Sequence, residues 1–105
     1  MDLGKTLIDA AASKTGMTRY RMSLELRESQ SFLSRVYSGK APIPPGLAAR
    51  LAVLAGIDAR RAALEAMVSQ EKNAEVRAQL ESALGVTAKY PENEVGRGTL
   101  LQTIV

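Results

Sequence analysis

The residues best suited to chemistry lie on one side of a predicted helix that begins near residue 30. On a helical wheel, Leu33 faces the core. The opposite side is small and polar with one long cation, and it consists of Ser31, Ser34, Arg35 and Ser38. Such a slim helix can enter the major groove of DNA and form hydrogen bonds with base edges. Bulky apolar groups there would block the approach, and acidic groups would repel phosphate, so the pattern indicates nucleic-acid recognition.

Catalytic and metal-binding chemistry has few suitable residues in this chain. The 105 residues include no Cys and no His, which removes the thiolate nucleophile, the commonest general base and two common metal ligands. The sequence shows no carboxylate pair, Gly-rich phosphate loop or metal-ligand spacing. We therefore expect a protein that is not an enzyme and that needs no cofactor or metal.

The charge is distributed unevenly along the chain. Residues 14–50 carry seven basic and two acidic side chains, a net charge of +5, whereas residues 51–105 carry six basic and seven acidic ones. A basic front half joined to a neutral back half suits a nucleic-acid reader with an assembly element. The same count also fits a solvated surface that happens to be basic.

Hydrophobic periodicity and capping residues predict an all-α fold. Apolar residues at helical spacing are interrupted by stop signals at Gly16, Gly39 and Gly56. The predicted helices cover residues 3–14, 18–26, 30–38, 45–55, 59–70 and 74–84. Whether residues 69–73 form a turn or a bend within one long helix stays open.

The predicted helices divide the chain into three parts. They are a four-helix head at residues 1–57, a helical hairpin at 58–84 and an irregular, flexible tail at 85–105. The apolar end of the tail, residues 100–105, is either frayed or a strand that adds to a partner. The aliphatic residues of the hairpin either extend the core or form the seam of a homodimer, and we expect the dimer. They are Leu64, Met67, Val68, Val76, Leu80 and Leu84.

The segment from Thr18 to Lys40 resembles the helix-turn-helix of the phage repressor and Cro family. The resemblance is carried by the recognition-helix sequence Ser29-Gln-Ser-Phe-Leu-Ser-Arg-Val-Tyr-Ser-Gly-Lys40, the Pro-containing loop after it, and the Leu-rich helix that ends in Ala55-Gly56-Ile57. It covers about residues 3–57. The resemblance implies a small phage or prophage transcriptional regulator, a repressor, that binds double-stranded DNA sequence-specifically and carries an added helical hairpin.

The resemblance also implies roles for single residues. Gln30, Ser31 and Arg35 would read bases, since Gln pairs bidentately with adenine and Arg with guanine. Backbone phosphate would be held at the start of the second helix and around the third. The residues in question are Thr18, Arg19, Ser29, Ser38 and Lys40, of which Thr18 and Ser29 also cap their helices.

The chain departs from the family pattern in and near the turn. Arg27 stands where the family usually has Gly, and because a left-handed non-Gly residue costs about 1 kcal/mol, we expect a longer or differently shaped turn. Ser23 replaces a small Ala, which is acceptable if its hydroxyl finds a carbonyl. Glu28 replaces an apolar residue, so the turn should pack less tightly. Phe32 is larger than the usual polar residue and either touches a thymine methyl or completes the core.

An antitoxin-like interaction protein is the alternative function. In that case residues 58–105 would bind a partner protein while the head regulates its own gene, but the mixed charge of the tail only suggests this. No apolar run approaches the ~20 residues that span a bilayer, and the N-terminus lacks a signal-peptide layout. We therefore expect a cytoplasmic protein with no membrane partner.

Overall fold

Six α-helices follow one another along residues 2–89, the part of the chain that this computed structural model describes. They are α1 (Leu3–Thr15), α2 (Arg19–Leu26), α3 (Gln30–Tyr37), α4 (Pro45–Ala55), α5 (Ala59–Gln70) and α6 (Ala74–Lys89). These residues contain no strand, so the all-α prediction is confirmed. None of the described helices is both long enough and apolar enough to cross a membrane.

The helices begin where capping residues predicted. Five caps accept hydrogen bonds from backbone N–H groups in the first turn that have no partner inside the helix. They are Asp2, Thr18, Ser29, Asp58 and Asn73. α4 begins instead at Pro45, whose ring presets the helical φ and whose missing N–H loses no helical bond. Each polar cap contributes about 1 kcal/mol.

The segment between α5 and α6 is a turn. α5 ends at Gln70 and α6 begins at Ala74, so residues 69–73 do not bend one long helix. The amide of Gln70 donates hydrogen bonds to the carbonyl oxygens of Ile43 and Ala66. The end of α5 is thereby fastened to the Pro-containing connector that follows α3.

One core runs through α1 to α5. The buried residues are almost all aliphatic, and Ala is prominent among them, in a chain of which only 4% of the residues are aromatic. They are Leu7, Ile8, Ala11, Met22, Leu26, Leu33, Val36, Ile43, Leu47, Ala48, Leu51, Ala52, Ala62 and Ala66. Full burial of each Leu, Ile, Val or Met contributes about 1.5–3 kcal/mol. One side of α3 is therefore buried in the core, and its other side is exposed to solvent.

The larger aliphatic residues of α5 and α6 lie at the edge of this core. α5 packs against the head through Ala62 and Ala66, which are 3% and 0% exposed. Met67 and Val76 are 41% and 42% exposed, and four others are half-buried: Leu64, Val68, Leu80 and Leu84. A shallow apolar cleft lined by Leu3, Val68 and Leu84, among others, separates α6 from the start of α1.

The last helix is longer than the sequence pattern indicated. The prediction that irregular structure begins at Gly85 is wrong for residues 85–89, because α6 continues through the glycine to Lys89. One Gly inside a helix costs about 1 kcal/mol relative to Ala, a cost too small to end α6. The rest of the predicted tail, with its apolar end at 100–105, lies outside the described residues.

Candidate nucleic-acid interface

α3 has a buried apolar side and an exposed polar side. Leu33 and Val36 are 0% and 1% exposed and anchor the helix in the core. Gln30, Ser31 and Arg35, the three residues predicted to read bases, are exposed. Ser34 is exposed as well. Within the described part of the chain, no acidic side chain forms an ion pair with Arg35 or Lys40. The polar side therefore keeps its positive charge.

Phe32 sits between these two sides of α3. It is half-buried and packs against the core, in line with one of its two predicted interpretations. The guanidinium carbon of Arg35 lies 5.5 Å from the centroid of its ring. Such an exposed cation–π contact contributes about 0.5–1 kcal/mol. Phe32 therefore contacts both the core and Arg35, the residue predicted to read guanine.

The turn between α2 and α3 is tight. Arg27 takes the left-handed conformation with φ 57°. Its N–H donates to the carbonyl of Leu24 at 3.3 Å, and the N–H of Glu28 donates to the carbonyl of Ser23 at 3.0 Å. These are the two hydrogen bonds of a Schellman motif, a helix end that usually places Gly where Arg27 stands. The expectation of a longer or differently shaped turn is therefore wrong, because Arg27 adopts the strained conformation at a cost of about 1–2 kcal/mol.

Arg50 of α4 fastens this turn from the other side. Its guanidinium donates to the carbonyl of Leu26 at 2.6 Å and lies 3.4 Å from the carboxylate of Glu28. A cation at the end of α2 satisfies a carbonyl that the helix leaves without a partner and interacts favourably with the helix dipole. Glu28 therefore contributes an ion pair at the turn. In the sequence, Arg50 is only one of the seven basic residues between positions 14 and 50. No local pattern indicates its contact with α2.

The hydroxyl of Ser23 has the carbonyl partner that a serine at this position needs. Ser23 is 7% exposed, and its hydroxyl donates a hydrogen bond of 2.6 Å to the carbonyl of Tyr20. The buried hydroxyl therefore has a partner, which avoids the penalty of about 1–3 kcal/mol for an unsatisfied polar group.

Thr18 and Ser29 cap α2 and α3 as predicted. The hydroxyl of Thr18 accepts a hydrogen bond from the N–H of Arg21 at 3.1 Å, and that of Ser29 accepts one from Phe32 at 3.0 Å. Both residues are exposed at helix starts. Their contact with phosphate stays a prediction.

α1 packs directly on the end of α3 at Gly4. A Cβ atom added to Gly4 would lie 2.6 Å from Cγ1 of Val36 and 2.7 Å from its carbonyl oxygen. No other residue type fits without movement of one helix. Sequence reasoning missed this function of Gly4, because a glycine near a helix start carries no signal of a close approach elsewhere.

Arg19 lies over an aromatic ring at the same end of α3. Its guanidinium carbon is 4.5 Å from the ring centroid of Tyr37, and the side chain is half-buried rather than free. Arg19 at the start of α2 is therefore in contact with Tyr37 at the end of α3. Gln30 and Ser31 begin α3 at its opposite end.

Tyr37 also connects α3 to α1. Its hydroxyl donates a hydrogen bond of 3.0 Å to Asp9, whose other carboxylate oxygen lies 3.1 Å from the ammonium of Lys5. The Lys5 ammonium is 5.1 Å from the centroid of the Tyr37 ring. We call Lys5, Asp9, Arg19 and Tyr37 the tyrosine cluster. Its members come from α1, α2 and α3, so no single stretch of sequence indicates it.

The charges in the tyrosine cluster stabilise one another. The hydrogen bond from Lys5 is the largest effect and lowers the pKa of Asp9, whereas desolvation, the next largest, opposes it; the hydroxyl of Tyr37 and the charges of Lys5 and Arg19 lower it further. The hydrogen bond to Asp9 raises the pKa of Lys5, as does the one with Tyr37. Both side chains are therefore charged at neutral pH.

The described residues contain no group of three or more acidic side chains that could hold a metal ion. The chain matches no protein-family model, no curated protein and no solved structure. The interpretation of the interface therefore depends on the residues and their geometry.

Proposed function

We propose that the chain binds double-stranded DNA sequence-specifically by placing α3 in the major groove. One observation carries this proposal: the exposed side of α3 presents Gln30, Ser31, Ser34 and Arg35, while its opposite side is fixed in the core. A helix held in this way can press a rigid set of donors and acceptors against base edges. Its small serines keep the helix slim enough for the groove.

Two kinds of contact divide the work on this surface. Gln30 and Arg35 read bases, because their side chains can each form two hydrogen bonds with one base, adenine and guanine respectively. Phosphate contacts fix the position of the helix without reading sequence. They come from Thr18, Arg19, Ser29, Ser38 and Lys40.

The regulatory consequence is occupancy of an operator. A small DNA-binding chain that covers a promoter blocks transcription with no cofactor and no catalysis. We propose a transcriptional regulator of the phage or prophage kind, a repressor that works in the cytoplasm. The support for this step is the resemblance of residues 18–40 and 47–57 to the repressor and Cro family.

We also propose that the chain acts as a homodimer through α5 and α6. Met67 and Val76 are each more than two-fifths exposed on these helices, and two heads on a palindrome bind far more tightly than one. Sedimentation of the parent beside Met67→Glu tests the dimer, with Ser82→Glu on the exposed surface of α6 as the control. A parent that sediments as a monomer at tens of micromolar concentration contradicts it.

A protein partner on the same surface is the second candidate. The exposed Met67 and Val76 and the apolar cleft beside Leu3 would serve an antitoxin-like protein as well as a dimer. A parent that is monomeric alone favours this candidate over the dimer.

Selection of bound duplexes from a random pool tests DNA recognition itself. The parent should enrich one motif, and Arg35→Ala should lose the preference at one position within it. Arg60→Ala on α5 is the control, since it removes the same charge from an exposed residue outside the interface. If the parent enriches nothing, even at low salt, the proposal is wrong.

A further inference from the structure

We propose that Lys5 and Arg19 form a binding site for a DNA backbone phosphate beside Tyr37, and that Asp9 competes with that phosphate for Lys5. This inference rests on the proposed function. It adds α1 to the DNA-binding surface, and it makes Asp9 a residue that limits affinity for DNA of any sequence.

The ring of Tyr37 contacts both cations. The Arg19 guanidinium carbon and the Lys5 ammonium lie 4.5 Å and 5.1 Å from the same ring centroid, although the residues belong to different helices. The ring attracts both cations through its quadrupole and restricts where they can move. Because Tyr37 ends α3, its cations lie at the end of the helix proposed to enter the groove. Phosphates flank the groove on both sides, so this is where a backbone contact is needed.

Asp9 is an internal substitute for the phosphate. Its carboxylate accepts hydrogen bonds from Lys5 and from the Tyr37 hydroxyl, in the way that a phosphate oxygen could. The Lys5 and Asp9 side chains are each 53% exposed, so the pair is open to solvent and to an incoming anion. A phosphate that takes Lys5 must either displace the carboxylate or share the cation with it. Both lower the affinity, and they do so equally for every sequence, because phosphate carries no sequence information.

Salt titrations of binding to a duplex of random sequence test the site. The logarithm of the binding constant falls with the logarithm of salt concentration with a slope of about −0.9 for each phosphate contacted. Lys5→Gln should lower the affinity about fivefold and make this slope less steep by about one. Asp9→Asn should raise the affinity, since asparagine keeps an oxygen for the Tyr37 hydroxyl but removes the competing charge.

The double variant Lys5→Gln/Asp9→Asn separates a contact from a change of net charge. It has the net charge of the parent but no ammonium for the phosphate, so its slope should stay as shallow as that of Lys5→Gln. The matched control is the i,i+4 pair of Arg61 and Glu65 on α5, 3.4 Å apart. Arg61→Gln should change the slope less than Lys5→Gln does, and Arg61→Gln/Glu65→Gln should match the parent.

Two results would overturn the inference while the proposed function stands. In the first, the parent binds DNA, but Lys5→Gln changes the affinity and the salt slope no more than Arg61→Gln does. In the second, the slope of the double variant returns to that of the parent, which would show that only net charge matters. A parent with no affinity for any duplex at low salt would instead reject the proposed function, and this site with it.

Discussion

Arg50 donates a hydrogen bond of 2.6 Å to the carbonyl oxygen of Leu26, 24 residues earlier in the chain. The contact joins α4 to the last residue of α2 and so fixes the point from which the chain turns into α3. The Nε of Arg50 also donates a hydrogen bond to the carbonyl oxygen of Gly46 at 3.3 Å. The orientation of the proposed recognition helix therefore depends on a side chain that does not belong to the helix-turn-helix.

Arg50→Met should destabilise the protein by about 1–2 kcal/mol. The methionine keeps most of the apolar stem but leaves the Leu26 carbonyl without its charged donor, a bond worth about 1.5–3 kcal/mol before solvent screening is considered. Urea unfolding measures the change. Arg60→Met is the control, because its contact with Asp58 is a surface ion pair of 3.8 Å and should be worth little. Equal effects of the two substitutions would contradict the role of Arg50.

Arg27→Gly should stabilise the protein by about 0.5–1 kcal/mol. Glycine relieves the left-handed strain of about 1–2 kcal/mol at φ 57°, and its greater freedom in the unfolded chain cancels part of that gain. Thermal unfolding measures the balance. Glu25→Gly, two residues earlier and inside α2, should instead destabilise by about 1 kcal/mol. A loss of stability in Arg27→Gly would show that the Arg27 side chain makes a stabilising contact of its own.

The sequence predicted the parts of this fold that depend on near neighbours in the chain. Asp2, Thr18 and Ser29 cap helices two or three residues away, and the spacing of Leu33 and Val36 defines the buried side of α3. These signals lie within one helical turn, so they can be found in sequence alone.

The contacts that position the candidate interface come from residues far apart in the chain. Tyr37 and Asp9 are 28 residues apart, yet they are joined by a hydrogen bond. Arg27 shows a different limit. The local penalty of a left-handed arginine argued against a tight turn, but the tertiary packing of α4 against α2, fastened by Arg50, outweighs that penalty.

Gly4→Ala should destabilise the protein even though alanine favours helices. The new methyl would lie within 3 Å of both the side chain and the carbonyl of Val36, and overpacking of this kind costs about 1–3 kcal/mol. Gly46→Ala in α4 is the matched control, because a Cβ atom there meets nothing within 4 Å. That control should be neutral or stabilising by up to about 1 kcal/mol. Stabilisation by both substitutions would show that α1 can move away from α3 freely.

Acid should weaken the attachment of α3 to α1. The pKa of Asp9 is lowered in the folded protein, mainly by the hydrogen bond from Lys5. The stabilisation from Asp9 is therefore present above the pKa of the unfolded chain and is lost as the pH falls through the lower pKa of the folded state. Unfolding midpoints of the parent and Asp9→Asn, compared from neutral to acidic pH, should converge in acid. A difference that stays constant with pH would contradict this.

The pKa of Lys5 is raised in the folded protein, mainly by the same hydrogen bond. Its contribution is present at neutral pH and is lost only as the pH rises through the raised folded value. Unfolding midpoints measured at alkaline pH therefore supply an internal control. Lys5→Gln and the parent should converge at high pH, at the opposite end of the scale from the Asp9 effect.

Arg35→Ala should reduce affinity for the preferred duplex by about 1–3 kcal/mol and relax base choice at one position. The guanidinium projects from the exposed side of α3, 5.5 Å from the Phe32 ring centroid, and forms no ion pair with the other described residues. Lys40→Ala is the comparison, because a phosphate contact should weaken binding to preferred and random duplexes alike. Competition titrations with both duplexes give the specificity ratio of each variant. If Arg35→Ala weakens both duplexes equally, Arg35 contacts phosphate, and the specificity of α3 comes from Gln30 and its serines.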